Sequence, residues 1–317
     1  MSHGSIDEAT LSSLRARVGK IHLRQRLGIE TDYERRIFGQ GRTFFHVENW
    51  YLLRSIIRNS LRLVLLLRRG RRNARRIVLR HNRIPLPQLP RAFDNYRILQ
   101  ISDLHLDMAP DIPHVLIEAV RHVDYDLCVL TGDYRAETFG PYAPALAALR
   151  QLRTHLQGDV YAVLGNHDTL CMVPAMEAME IRMLLNEQVS IERRGEVIHL
   201  AGIDDPHYYR ADNLEKAADT IPDGATSILL AHSPEIYQHA AHADFNVMLC
   251  GHTHAGQICL PGGFPVMCNA RCPRAFCRGS WTYHGMSGYT SAGSGSCAVD
   301  VRLNCPPEIT LHQLQRA

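Results

Sequence analysis

The chain lacks any run of about 18 uncharged apolar residues, the length a bilayer-crossing helix requires, so a conventional transmembrane helix is not expected. Residues Met1–Lys20 carry acids and no apolar centre, which argues against a secretory leader. Nine cysteines are present, but seven of them fall from Cys250 onward and no compact secreted framework emerges, so reduced thiols in a cytosolic protein are expected. No internal repeat or low-complexity tract is found. The most informative absence is local. Between Asn49 and Phe93 there is no acidic residue, while twelve arginines crowd the same stretch. The chain's net charge is +3, so the rest of it carries about −9. Such a segment needs an anionic neighbour or full solvation.

What is present divides near residue 93. Residues 1–93 have a mostly helical pattern; residues 94–317 alternate strand-like runs with amphipathic helices, the signature of an α/β or layered domain. The boundary is marked by Ile84-Pro85-Leu86-Pro87-Gln88-Leu89-Pro90, where three prolines favour extended chain over helix. In the first region Trp50, Leu53, Ile57, Leu61, Val64 and Leu67 recur at helical spacing, with Arg54, Arg58 and Arg62 on an adjacent stripe. A basic amphipathic helix of this kind suits three settings: an anionic bilayer surface contacted through residues 49–93, a packed helix with a solvated arginine face, or nucleic acid. No interleaved aromatic platform or binding motif supports the last. In the second region helices are expected over Pro113–Val123, Pro144–Leu156 and Met176–Asn186, and a strand over Glu196–Ile203.

Five segments end in side chains that bind metals: Asp103-Leu104-His105, Gly132-Asp133, Gly165-Asn166-His167-Asp168, His232, and Gly251-His252-Thr253-His254. Each follows a short apolar run that reads as a buried strand: Ile98–Ser102, Leu127–Thr131, Val160–Leu164, Ile228–Ala231 and Val247–Cys250. Ligands placed just past the carboxyl ends of several strands meet in one crevice. Hard oxygens combined with imidazoles suit Mn²⁺, Fe²⁺/Fe³⁺ or Zn²⁺ better than Ca²⁺ or Mg²⁺. A carboxylate has two oxygens and can bridge two ions; Asp133 is the best candidate. Gly132 and Gly251 are expected to allow tight turns.

The order Asp-x-His, Gly-Asp, Gly-Asn-His-Asp, His, Gly-His-x-His resembles the calcineurin-like metallophosphoesterase superfamily over roughly Tyr96 to Leu314. The specific motifs are Leu164-Gly165-Asn166-His167-Asp168 and Gly251-His252-Thr253-His254-Ala255-Gly256-Gln257. Within it the chain is most similar to the YkuE-like bacterial branch, which is often membrane-associated; the ending Asn304-Cys305-Pro306-Pro307-Glu308-Ile309-Thr310 adds to the likeness. The resemblance implies a four-layer α/β/β/α sandwich with two divalent metal ions, Mn first and Fe or Zn as alternatives. It assigns Asp103, His105 and His254 to one ion, Asn166, His232 and His252 to the other, and Asp133 to both. His167 matches the family's catalytic histidine and Asp168 would orient its imidazole. The implied reaction is hydrolysis of a phosphodiester or pyrophosphate by metal-bound hydroxide. The substrate would be a phosphate-containing small molecule or a lipid- or nucleotide-diphosphate-linked compound, met in the cytoplasm or on the inner face of the membrane. A soluble phosphomonoesterase or nucleotide phosphodiesterase is the alternative enzyme, and a metal-binding scaffold without turnover the alternative of another class.

One departure from the family is the sequence Tyr134-Arg135-Ala136-Glu137 after Asp133, where many relatives carry an acid or a histidine. Arg135 is read either as a contact to a second substrate phosphate or as a surface residue paired with Glu137 or Asp107. Asp205, in Asp204-Asp205-Pro206-His207, is read as reaching the substrate pocket or as forming a turn. Cys268, Cys272 and Cys277 are spaced poorly for zinc and are read as loop thiols. Gly293-Ser294-Gly295 is expected to turn near the site, and Ser233 and Cys250 to pack beside ligands.

Overall fold

The computed structural model describes residues 7–38 and 51–317, with side chains over 7–34 and 54–317. Trp50 and the side chain of Leu53 lie outside these. The elements in chain order are α1 Glu8–Val18, α2 Lys20–Phe38, α3 Tyr51–Leu63, α4 Leu67–Ala74, β1 Val78–Leu86, β2 Arg97–Ile101, α5 Ile112–Val120, β3 Leu127–Leu130, α6 Ala143–Arg153 and β4 Val160–Ala162. They continue with α7 Val173–Glu177, β5 Ile181–Met183, β6 Glu187–Arg193, β7 Glu196–Gly202, α8 Leu214–Ala218, β8 Ser227–Leu230, α9 Tyr237–His242 and β9 Val247–Cys250. The short pair β10 Cys259–Leu260 and β11 Phe264–Pro265 precedes β12 Gly279–Tyr283, β13 Met286–Thr290 and β14 Glu308–Arg316. Among the described residues no helix is long and apolar enough to cross a membrane.

Two six-stranded sheets result, ordered β1-β14-β2-β3-β4-β5 and β12-β13-β9-β8-β7-β6. β2 to β5 run parallel, as do β13, β9, β8 and β7. The runs of β3, β4, β8 and β9 are continuously apolar because each of these strands is buried on both faces. In β3, Leu127 and Val129 enter the layer between the sheets, where they join Ile228, Leu230, Val247 and Leu249. Cys128 and Leu130 point the other way, toward Leu116 and Val120 of α5 and Leu149 and Leu152 of α6. Met248 and Cys250 of β9 likewise turn outward onto Ala240 of α9. Helix, sheet, sheet, helix is the expected four-layer order.

The division near residue 93 is crossed by backbone pairing. Val78–Leu86 lies beside Glu308–Arg316 as a parallel edge strand, so Ile84, Pro85 and Leu86 are extended chain inside a strand. Pro87 and Gln88 then turn, with Leu89 N–H donating to Leu86 O at 3.2 Å. The expected helix over Met176–Asn186 is a correction. Helix α7 ends at Glu177, Glu180 adopts φ 58°, and Ile181–Met183 continues as a strand. A Met- and Leu-rich run fits either buried period, and here the sheet edge next to β4 takes it. The long amphipathic helix through Leu67 is also two helices. Leu65 sits at φ 60°, with Leu66 N–H donating to Leu61 O (2.9 Å) and Leu65 N–H to Arg62 O (3.1 Å), a left-handed cap that normally selects glycine.

Helices α1 and α2 lie on the first sheet's outer layer, to which Leu14, Val18 and Leu23 contribute. Their polar faces are tied down too. Arg26 is fully buried, stacks on Tyr209 at 3.4 Å, pairs with Glu30 (2.8 Å) and Asp204 (3.3 Å) and donates to Asp168 O (3.1 Å). Helices α3 and α4 pack through Ile57, Leu61 and Leu67 onto Val299, Val301 and Leu303, while Arg58, Arg62, Arg68 and Arg69 remain exposed.

Candidate metal centre

All five motif segments emerge from the carboxyl ends of β2, β3, β4, β8 and β9 and meet at one edge of the two sheets. Asp103, His105, Asp133, His252 and His254 all have φ between 42° and 71°, a left-handed conformation costly for residues with a side chain. Of the two glycines, Gly132 makes the expected turn at φ 92°. Gly251 serves close approach instead: a Cβ there would lie 1.9 Å from Ser102 Oγ and 2.4 Å from Asp103 Oδ2.

The histidines are locked by backbone carbonyls. His105 Nδ1 donates to Arg135 O (2.8 Å), His232 Nδ1 to Thr131 O (2.8 Å) and His252 Nε2 to Asn269 O (2.6 Å). Each lock assigns the hydrogen to the far ring nitrogen and leaves the near one as a lone pair facing the centre. His232 Nε2 then lies 2.9 Å and His252 Nδ1 2.8 Å from Asn166 Oδ1, and Asp133 Oδ2 is 3.2 Å from His232 Nε2. Acceptors point at acceptors, an arrangement that requires a cation or a proton between them. Asp133 Oδ2 also faces His105 Nε2 at 3.8 Å and His167 Nε2 at 3.9 Å. Among the described residues, Asp133 is shared by two sets whose donor atoms lie within 4.8 Å of one another, one with His232 and His252, the other with Asp103 and His105. His254 Nε2 sits 3.1 Å from His105 Nε2 and 3.5 Å from Asp103 Oδ1. Arg302 donates to its Nδ1 at 3.0 Å, which places the ring hydrogen on Nε2 toward His105. For His254 Nε2 to hold an ion, that hydrogen would move to Nδ1 and Arg302 would turn to the carbonyls of Gly293, Gly295 and His254 that it also binds.

Charge follows the same geometry. Burial opposes it, yet the Asp133 carboxylate lifts the His232 imidazole up to about 10, while burial pushes Asp133 itself up to about 7. Burial also holds His105 down to about 3 and keeps His167, His252 and His254 well below the usual imidazole value. The crevice thus rejects protons on most of its imidazoles and retains one beside its most central carboxylate. A divalent ion satisfies both demands, and the residues present fit it.

Two sequence expectations, for Asp168 and Arg135, receive different roles, and of the two readings of Asp205 the turn is the one seen. Asp168 does not reach the His167 ring. Its Oδ2 accepts from Asp133 N (2.8 Å) and Gly165 N (2.8 Å) and its Oδ1 from Tyr134 N (3.0 Å), so it clamps two ligand loops together. The His167 ring instead faces Thr138 Oγ1 (3.4 Å from Nδ1). Arg135 is not a surface residue. Its buried guanidinium is spent on the backbone carbonyls of His167, Thr138 and Gly140. Asp205 accepts from the amides of His207, Tyr208 and Tyr209 and forms a turn. Ser294 and Gly295 do bend against the site, their amides donating to Ser102 O and Asp103 O, both at 2.8 Å.

Several site residues were not singled out by the sequence. Asn269 and Arg302 act only through chain segments distant from the ligands they hold, and no local signal marks them. Arg54, read only as part of a stripe, pairs with Glu137 at the rim. There the crevice opens into a cavity of about 420 Å³. Ligands Asp133, Asn166, His252 and His254 line one side; Ile56, Ile57, Leu61, Ile258, Val266 and Met267 line the other.

Comparison with known proteins places this edge in context. The model for the calcineurin-like phosphoesterase family matches residues 96–256, which include the five motif segments. YkoQ of Bacillus subtilis (strain 168), an uncharacterized metallophosphoesterase, is 30% identical over 227 residues, 68% of this chain and 83% of its own. YkuE of the same organism, also an uncharacterized metallophosphoesterase, is 27% identical over 238 residues, covering 72% and 82%. A transmembrane protein with metallophosphoesterase domain from Bos taurus is 31% identical over 258 residues, 74% of this chain but only 56% of that protein. With two packed sheets, a donor crevice at their shared edge and this extent of matching, the chain belongs to the calcineurin-like metallophosphoesterase family and is a phosphoesterase.

Proposed function

We propose that this protein is a two-metal hydrolase of a phosphodiester or pyrophosphate whose substrate carries an apolar group, working at an anionic membrane face on the cytoplasmic side. The observation that carries the metal reading is the convergence of Asn166 Oδ1, His232 Nε2, His252 Nδ1 and Asp133 Oδ2, lone pair against lone pair within 3.2 Å. Asn166, His232 and His252 would hold one ion, Asp103, His105 and His254 the other, and Asp133 would touch both. When bound, such a pair supplies an activated water and draws charge from the phosphoryl oxygens.

The chain's own residues do the rest. Asp133 Oδ1 accepts the His167 amide at 2.9 Å, which fixes the imidazole beside the shared carboxylate. Kept neutral by burial, His167 is suited to donate an N–H hydrogen bond to a phosphoryl or leaving oxygen. Asp168 keeps the Asp133 and Asn166 loops in register. The wall of Ile56, Ile57, Leu61, Val266 and Met267 gives one side of the crevice an apolar lining and favours an apolar substituent on the phosphate. Exposed Arg58 and Arg62, with exposed Ile56, Leu63, Val64 and Leu65, support a surface that meets anionic lipid.

The test is hydrolysis by Mn²⁺-loaded protein of a diester, a monoester and a nucleotide-diphosphate lipid, side by side, together with metal content. Metal-dependent cleavage of one class is expected. His167→Ala should keep both metals and lose roughly 10²–10⁴ in turnover. Full activity in that variant would remove His167 from the reaction.

A further inference from the structure

We propose that Cys297 is a metal ligand, a thiolate added to the ion held by Asp103, His105 and His254; this rests on the two-metal reading above. The sulfur forms a compact group with two imidazoles: Cys297 Sγ, His105 Nε2 and His254 Nε2 all lie within 4.8 Å of one another. The two nitrogens are 3.1 Å apart. That is close to the roughly 3 Å edge spanned by two imidazoles on one ion at about 2.0–2.1 Å each. Cys297 Sγ also lies 3.7 Å from His167 Nε2, so the thiol faces the centre of the crevice.

Its position is built. Gln257, three residues after His254 in the motif loop, accepts from Cys297 N at 2.7 Å and donates to Cys297 O at 2.8 Å and Val299 O at 3.0 Å. Arg302 binds the same turn to the same loop by donating to Gly293 O, Gly295 O and His254 O. The segment carrying the thiol therefore moves with the histidines.

Binding is a proton-for-metal exchange: the S–H bond breaks, a sulfur–metal bond forms, and the proton leaves to solvent, with no redox change. The first site would then offer one carboxylate shared with the second, one carboxylate of its own, two imidazoles and one thiolate. The second has oxygen and nitrogen donors alone. A soft thiolate favours Zn²⁺ or Fe²⁺ over Mn²⁺, so the geometry points to two unlike ions in one centre, the softer at Cys297. The cluster of Cys268, Cys272 and Cys277 makes a useful contrast. Cys272 and Cys277 sulfurs are 3.9 Å apart, but no imidazole or carboxylate completes a ligand group there among the described residues.

The experiment is cobalt substitution of the full chain, read by absorption and by metal content. It compares the unaltered protein with Cys297→Ala, Cys297→Ser and Cys272→Ser, each checked for folding by circular dichroism. A near-ultraviolet sulfur-to-cobalt band is expected in the unaltered protein and in Cys272→Ser. It should be lost in both Cys297 variants while the visible cobalt bands persist. Two cobalt ions per chain with no sulfur band, or a band that survives Cys297→Ala, overturns the thiolate and leaves the two-metal reading standing. No cobalt uptake by the unaltered chain overturns both.

Discussion

Two helical pairs precede the first sheet, and they are attached by different balances of apolar and polar contact. Helices α3 and α4 carry the arginine stripes that dominate the sequence, yet a few apolar side chains hold them, with Leu61 and Leu67 against Val299, Val301 and Leu303. Helices α1 and α2 have no conspicuous pattern, yet they place a fully buried arginine, Arg26, against Asp204, Glu30 and the main chain of Asp168. Glu30 continues the contact by accepting from Leu170 N at 3.1 Å and from the Thr169 hydroxyl. The first pair is thus a polar clamp behind the Asn166-His167-Asp168 loop, and the second an apolar roof over the cavity. Most of the arginine run faces outward, whereas Arg17 and Arg26 of the first two helices turn inward, Arg17 onto Glu177 and Glu187 and Arg26 onto Glu30 and Asp204.

That contrast can be broken in three ways. The largest effect should come from Arg26→Ala, which leaves two carboxylates buried beside a missing partner. A loss of about 3–5 kcal/mol in urea unfolding is expected, and a loss below about 1 kcal/mol would mean the clamp is ornamental. Next, Leu61→Ala should cost about 2 kcal/mol, the low end for a buried leucine, since it sits at the rim of its cluster. It should also loosen the cavity wall, read as weaker binding of substrates with long apolar groups. An unchanged KM across chain lengths would separate α3 from substrate. Smallest in stability is Arg58→Gln with Arg62→Gln, within about 0.5 kcal/mol of the unaltered protein. The same double change should weaken sedimentation with phosphatidylserine vesicles by about 1 kcal/mol per arginine. Equal sedimentation would reassign those arginines to solvent alone.

The strand ends were legible because burial on both faces writes each strand as a largely apolar run, and the candidate ligands follow at once. Asp103, His105, Asp133, Asn166, His232, His252 and His254 therefore come together as their spacing suggested. The arginine run and its helix were legible too, but not the break at Leu65, since leucine gives no sign of a left-handed turn. Met176–Asn186 failed for a related reason: its apolar spacing suits helix and strand alike, and only the edge of β4 decides. The orienting role expected of Asp168 and the surface reading of Arg135 were misplaced because a charged residue beside a motif looks functional or solvated in one dimension. Whether it meets a substrate or a set of backbone amides depends on loops that are far apart in the chain. Asn269, Arg302 and Cys297 depend on the same long-range packing.

The left-handed backbone at His105 and His254 sets a conflict for anyone who breeds this protein for heat resistance. Non-glycine residues in that region cost about 1–3 kcal/mol each, and glycine removes the cost. If these two histidines hold an ion as proposed, a library ranked by melting temperature alone would favour glycine at this edge and return hardy proteins with no catalyst in them. Any such selection has to score turnover in the same round.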